Sequence, residues 1–356
     1  MKLPLISKKI LSLDFGSHEI KVIEGRVLKG ESNISKAFTI QLPKGAYLDG
    51  EIFNQTMIST TIKNALKDNK VSTDLAYGVI NSSSIITREI VIPKVMEKEI
   101  SSVINYQLND YLPINLDDYV IKYIILGTSI EGNNEKLNIL LIGILKKMVT
   151  EHLSLMKDAG LKPQILDFQG NAIAKLLQFN ALINEQYNTR DVVIASVDIG
   201  YINSKLTVIR NGVIEVSRVI EVGAKELYEN VGLIFDCSVE DCERKIFEVR
   251  NLNTIQEDFT DYYRLVNVIK SILNNLLEKI EIVFKYYISR GSKSDINYIL
   301  LQGGLSNLNG VDNIFSNYFN IPSVKLISLD KIKFDGDLSQ YSNAIGGLIR
   351  MDEVQK

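Results

Sequence analysis

Two hydrophobic periodicities alternate along this chain. Short apolar blocks bounded by Gly, Asp and Asn read as strands, and stretches with an apolar residue every three or four positions read as helices. The first clear strand, Lys9–Leu13, runs into Asp14-Phe15-Gly16-Ser17, and a second, Ile20–Leu28, follows at once, so the glycine-containing segment is a hairpin turn. Ser35–Leu42 is a third strand, Phe53–Lys67 a helix with Phe53, Met57, Ile58, Ile62 and Leu66 at helical spacing, and Leu75–Ile80 another strand. The order then changes. Ile85–Ile92 is a strand closed by Pro93, and Glu97–Tyr111 is an amphipathic helix. Tyr119–Leu126 and Lys136–Leu145 are strands joined by the polar turn 131–134, and the helix Lys147–Ala159 stops at Gly160. That order predicts a small α+β module.

The opening pattern then returns. Val192–Val197 runs into Asp198-Ile199-Gly200-Tyr201-Ile202-Asn203-Ser204, Lys205–Arg210 leaves that turn, and Asn211-Gly212 closes a tight hairpin into Val213–Ile220. Two strand–Asp-x-Gly–strand hairpins, each followed by further strands and helices, indicate two similar lobes. Leu252–Arg290 contains a long amphipathic helix, and the strand Ile296–Leu301 runs into Gln302-Gly303-Gly304-Leu305-Ser306-Asn307. Gly310–Phe319 and Tyr341–Arg350 are helical, the latter with Gly346-Gly347 inside.

The length, 356 residues, suggests about two domains, and 46% hydrophobic with 23% charged residues is ordinary for a globular chain. Forty basic against 43 acidic residues, a net charge of −3, argue against bulk nucleic-acid binding and against adhesion to anionic lipid. Cys237 and Cys242 lack the further Cys or His ligands of a zinc site and read as free thiols in a reducing compartment. Residues 1–9 show no apolar core of signal-peptide length, and the longest uncharged run, Ile296–Val311, is broken by polar residues and glycines; a cytoplasmic location is expected.

An Asp-x-Gly hairpin at a strand end brings together what a phosphate and its metal require. The glycine admits backbone N–H groups close to an anion, Ser17 adds a hydroxyl, and the carboxylate can hold Mg²⁺ through its waters. Either hairpin alone is explained as a tight turn. Two in register, with Gly303-Gly304 as a third close approach, predict a clamp on a polyphosphate.

At these places the chain resembles the superfamily of actin and the sugar kinases. Asp14–Ser17 is similar to its first phosphate loop, Asp198–Ser204 to its second, Gln302–Ser306 to its adenosine loop, and Tyr341–Leu348 to its closing helix. The module at 84–160 lies where the FtsA and PilM branches carry an insert. The resemblance to the PilM family of type IV pilus proteins covers nearly the whole chain. It is carried by LSLDFGSHEIKVIE (11–24), LPKGAYLDGEI (42–52), YQLNDYLPINLDDYV (106–120), AGLKPQILDFQGNAIA (159–174) and NAIGGL (343–348).

That resemblance implies an α/β fold: a two-lobed actin-like ATPase with ribonuclease-H-like repeats and an inserted small α+β domain. The first lobe would be 1–83, closed by 161–190 and 341–356; the insert 84–160; the second lobe 191–340. It further implies ATP and Mg²⁺ as ligands, with Asp14 and Asp198 on the metal and Asp198 and Gln169 near the attacking water. Gly16, Ser17, Lys21, Gly200, Asn203 and Ser204 would surround the phosphates. Gly303, Gly304 and Ser306 would meet the ribose and α-phosphate, and Glu243 and Lys245 the adenosine. Gln169 reads equally well as a polar residue opening a helix. Tyr201 and Asn203 depart from the small residues and Thr common in the second loop, Gly223-Ala224 stands for the usual Gly-Gly, and His18 reads as a partly exposed loop residue.

The implied role is an ATP-binding scaffold, at most a slow ATPase, at the inner face of the cell membrane. It would hold the cytoplasmic N-terminal tail of a PilN-like inner-membrane protein and meet other pilus assembly proteins, its membrane association being indirect and self-association left open. The groove between insert and first lobe would take the tail through Tyr111, Leu112, Ile114 and Leu116, unless these residues are simply the core of the module. The alternatives are a small-molecule kinase, for which no catalytic Asp in a substrate cleft is evident, and an FtsA-like division protein, which would be longer and end in a membrane-binding amphipathic helix where 350–356 is polar.

Overall fold

The computed structural model describes residues 8–28, 30–112, 114–132, 134–252, 260–289 and 295–350. Its principal strands in the first half are β1 (Ile10–Phe15), β2 (Glu19–Leu28), β3 (Glu31–Gln41), β4 (Leu75–Ile80), β5 (Ile86–Pro93), β6 (Tyr119–Glu131), β7 (Asn134–Leu145) and β8 (Lys162–Phe168). The second half adds β9 (Val193–Ile199), β10 (Ser204–Arg210), β11 (Val213–Ile220), β12 (Tyr298–Gln302), β13 (Ser323–Lys325) and β14 (Ile332–Lys333). The helices are α1 (Gln55–Asp68), α2 (Glu97–Tyr111), α3 (Lys146–Asp158), α4 (Gln169–Phe179), α5 (Ala224–Phe235), α6 (Val239–Phe247), α7 (Asp261–Ser289), α8 (Val311–Phe319) and α9 (Leu338–Leu348).

Two sheets repeat one plan. The first has the order β8-β4-β1-β2-β3-β14, with β1 antiparallel to β2 and parallel to β4. The second has the order β11-β10-β9-β12-β13, with β9 antiparallel to β10 and parallel to β12. Strand alternation then assigns the faces. Leu11, Leu13 and Phe15 of β1 are buried against Ile58 and Ile62 of α1 and Leu155 and Met156 of α3. The opposite face of β1 carries Ser12 and Asp14. In β9, Val193, Ala195, Val197 and Ile199 join the core built with α5, α6 and α7, which leaves Asp198 on the other face.

Helices α4 and α9 fill the space between those two inner faces, in a core shared by Ile23, Phe168 and Leu177 with Ile194, Leu300 and Ile345. Their approach explains Gly346-Gly347. A Cβ on Gly346 would lie 2.1 Å from the Ala172 carbonyl oxygen, and one on Gly347 2.6 Å from both Ser12 Oγ and Val79 Cγ2.

The 84–160 region forms a third sheet, β5-β7-β6. Leu137, Ile139 and Leu141 of the central β7 face α2, while Leu140 and Ile142 join the core shared by the lobes. Across the seam to the second lobe, Thr87 Oγ1 donates to the Ser217 carbonyl at 3.2 Å.

Several sequence expectations shift. Asp14 and Asp198 are strand residues rather than turn residues, because each still pairs in its ladder, with Lys21 and Lys205. β5 closes at Pro93, as expected, with the proline itself as its last residue, opposite Lys136, tolerated because β5 is an edge strand. The β6–β7 hairpin is longer than expected, reaching Glu131 and Asn134. Helix α9 begins at Leu338, where the Asp337 carboxylate accepts from Ser339 N at 3.0 Å. Of the expected long helix the described part starts at Asp261, and 253–259, Arg290, Pro113 and 351–356 lie outside the described residues.

Candidate functional site

The inner faces of the two hairpins and the α4 and α9 helices enclose a cavity of about 300 Å³. Asp14, Gly16, Ser17 and Lys21 line it from the first hairpin, Asp198, Gly200 and Asn203 from the second. Gln169, Glu243, Gly303 and Gly304 complete the expected residues present.

The glycines have one steric reason in both hairpins. A Cβ on Gly16 would sit 2.8 Å from the Glu19 carbonyl oxygen, and one on Gly200 2.7 Å from that of Asn203. Gly303 has φ +84° and packs so that a Cβ would lie 2.3 Å from Asp198 Oδ1. No other residue type meets both demands.

Burial raises both carboxylates, each held by a different amide. Asp14, 2% exposed, is pushed up to about 6 by burial, against the pull of Lys21 and of Gln169, whose Nε2 donates to Asp14 Oδ1 at 2.9 Å. Asp198 is also raised, by burial first, with Lys21 and Asn343 opposing; Asn343 Nδ2 donates to Asp198 Oδ2 at 2.6 Å. Burial also acts on Lys21, but the nearby Glu19, 3.3 Å away, and the two aspartates outweigh it and raise its pKa. Lys205 is lowered to about 8, by burial and then by Arg218.

Three expected residues are not brought to the cavity. Ser204 is fully buried and its hydroxyl donates to the Val222 carbonyl at 2.7 Å; Ser306 Oγ donates to the Gly303 carbonyl at 2.7 Å. Both hydroxyls fix loop backbone instead of facing a ligand. Lys245 reaches over the Phe235 ring, 5.9 Å from its centroid, away from Glu243 and Phe247 of the same helix, which line the cavity. The residues expected to hold a tail also differ from expectation. Leu112, 3% exposed, belongs to the insert's core, while Tyr111, Ile114 and Leu116 are half-buried at its edge, packed against the α2 cluster.

Further residues line the cavity, among them Asp49, Asn81, Asn343 and Lys205, to which the sequence motifs assign no role. Asp49, in the left-handed region at φ +45°, accepts from Asn203 Nδ2 at 3.2 Å, and its own N–H donates to Ser17 Oγ at 3.2 Å. Asn81 Nδ2 donates to Asn203 Oδ1 at 3.2 Å, and His18 stacks on Tyr201 at 4.4 Å between centroids. These contacts tie the lobes together at the cavity mouth. Asn343 and Lys205 line it as well. Their chain separation hid Asn343, while Lys205 was visible as the residue seven after Asp198, just as Lys21 follows Asp14.

Among the described residues no group of three or more His, Cys, Asp or Glu could hold a metal by itself. The donor set at the cavity is two carboxylates plus Asn81 Oδ1 and Asn343 Oδ1, both buried without a hydrogen-bond partner. Such oxygens suit Mg²⁺ that keeps several waters and takes its remaining ligands from phosphate.

This architecture is shared with known structures. One chain of a PilM–PilN type IV pilus biogenesis complex is similar at TM-score 0.78 and 18% identity, over 97% of this chain and 100% of that one. The ethanolamine utilization protein EutJ from Carboxydothermus hydrogenoformans is similar at TM-score 0.59 and 13% identity, over 97% and 91% of the two chains. MreB5 of Spiroplasma citri bound to ADP is similar at 0.54 and 14%, over 98% of each. Paired hairpins on two sheets, with crossing helices between them, make this an actin-like ATPase fold. Residues 12–341 match the family described as type IV pilus assembly protein PilM, and the chain belongs to that family.

Proposed function

We propose that this chain binds Mg-ATP between its lobes and serves as a scaffold in type IV pilus assembly, holding the cytoplasmic tail of a PilN-like inner-membrane protein. The observation that carries the nucleotide half is the pair of Asp-x-Gly hairpins facing one cavity with matched Asp–Lys registers. Asp14 and Asp198 hold the metal through its waters, Lys21 and Lys205 neutralise phosphate, and Tyr228, Glu243 and Phe247 flank the base. Mg²⁺ when bound supplies charge neutralisation on the phosphates. Gln169 spends its amide on Asp14 and is 9% exposed, so it is poorly free to orient water, which supports slow turnover with the nucleotide acting as a ligand that locks the lobes.

A second cavity, of about 480 Å³, supports the tail half. It lies between β6 of the insert (Ile124, Ile125), β8 (Ile165, Leu166) and the β10–β11 turn (Gly212 to Ile214). β8 is the outermost strand of its sheet, so an extended peptide can add there as a strand. No helix among the described residues is long and apolar enough to cross a membrane, so inner-membrane association would come through the partner.

Calorimetric titration with ATP and Mg²⁺, for the wild type and Asp14→Ala, tests the first half. Micromolar binding lost in the variant is expected; a wild type that binds no nucleotide sinks it. Titration with the partner's tail peptide, comparing wild type with Leu166→Glu, tests the second half, which fails if the variant binds as well as the wild type.

A further inference from the structure

The final helix reaches into the cavity with one polar side chain. Asn343 is 4% exposed and its Nδ2 donates to Asp198 Oδ2 at 2.6 Å, in the same cavity that Asp14 lines from the other lobe. One side chain of the closing helix thus holds the second lobe's carboxylate at the place where the two acidic residues meet. Its remaining polar atom, Oδ1, is buried with no partner. A buried acceptor left open costs stability unless something donates to it. The residue is held there tightly, because the next helical turn carries Gly346 and Gly347, which press α9 against α4 and β1 more closely than any Cβ allows. The start of the helix is tied to the same site, since Gly303 N donates to the Ser339 carbonyl at 3.0 Å.

We propose that Asn343 is a positioning residue for the metal: its amide N–H aims the Asp198 carboxylate into the cavity that Asp14 also lines, and its free Oδ1 accepts from a metal-bound water. Divalent-cation binding therefore depends on the seating of the C-terminal helix, while contacts to the base and ribose do not. This inference rests on the proposed nucleotide site.

The test is a calorimetric comparison of the full chain with ATP in EDTA and with ATP plus Mg²⁺, for the wild type, the near-isosteric Asn343→Leu and the smaller Asn343→Ala. Wild type is expected to gain at least ~10-fold in affinity from Mg²⁺. The Leu variant should lose most of that gain while its affinity in EDTA changes less than ~3-fold. A merely structural role would lower both affinities together, and that result, or an unchanged Mg²⁺ gain in either folded variant, overturns the proposal. Manganese as a spectroscopic probe gives a second readout, with a weakened Mn²⁺ signal expected in the variant complex. A wild type that binds no ATP under either condition would instead remove the nucleotide reading itself.

Discussion

The two hairpins use the same register and the same glycine logic, yet their charges are kept in different states. In the first lobe Asp14 is enclosed and carries a raised pKa, while Lys21 is secured by Glu19 beside it. In the second lobe burial raises Asp198 as well, with Asn343 opposing, and the lysine is strained too: Lys205 is buried beside Arg218 and drops to about 8. Duplicated backbone geometry therefore does not duplicate electrostatics. Both lobes hold a raised carboxylate, but the lysine is raised in the first and lowered in the second, and a bound metal phosphate would relieve both strains, the metal at the carboxylates and the phosphate at Lys205.

The largest way to break this arrangement is at the loop they share. Gly303→Ala places a Cβ against Asp198 Oδ1 at a positive φ, so nucleotide affinity should fall by ~100-fold or more, about 3 kcal/mol, in a calorimetric titration. An unchanged affinity would show that the adenosine-side loop does not set the position of Asp198.

Next is the stability stored at Asp14. A carboxylate raised from 3.8 to about 6 contributes stability that is full below pH 3.8 and lost as pH rises through 6, an effect of about 3 kcal/mol. Asp14→Asn should therefore stabilise the ligand-free protein by up to about 3 kcal/mol at pH 7.5 in urea unfolding, with a gain of the same sign for Asp198→Asn. A loss of stability at pH 7.5 in either variant would contradict carboxylates raised by burial.

His152 must be separated from this curve. It is fully buried, its Nδ1 lies 2.8 Å from the Met148 carbonyl and its Nε2 3.0 Å from Tyr47 Oη, and burial lowers it to about 4. The carbonyl requires Nδ1 to carry the proton, so Nε2 accepts from the tyrosine. A depressed histidine gives stability that is present above pH 6.5 and lost as pH falls through 4, about 3 kcal/mol with the opposite sign to Asp14. In the Asp14→Asn background the loss between pH 6.5 and 4 should emerge unmasked; a flat profile there would contradict a neutral buried imidazole.

The smallest effect belongs to Lys205. Phosphate beside it should restore its charge, so ATP binding at pH 8.5 should take up a fraction of a proton, read from the dependence of binding heat on buffer ionisation. Lys205→Met should abolish that uptake, and Lys21→Met should leave it.

Much of this site was legible locally. Asp-x-Gly at a strand end, repeated, declares itself because strand pairing and the close carbonyl contact are set within a few residues of Gly16 and Gly200. Ser204 and Ser306 misled because a hydroxyl in a glycine-rich loop can serve the backbone as readily as a ligand, and only the fold shows which carbonyl it meets. Asp49 and Asn343 lie inside phrases visible in the sequence, but their roles arise only where distant segments converge. The expected tail residues are a different case. Apolar residues at a helix exit suit either a groove or a core; the depth of Leu112 places it in the core, while Tyr111, Ile114 and Leu116 keep part of their surface open.

The alternation along β7 has one more consequence. Neighbouring residues of this strand belong to different structural bodies: Ile139 and Leu141 to the insert, Leu140 and Ile142 to the seam between the lobes. The insert is thus no cassette that could be cut out or exchanged at its ends without harm. Excising it would strip one wall from the central seam, and slipping β7 by a single residue would turn each body inside out at once.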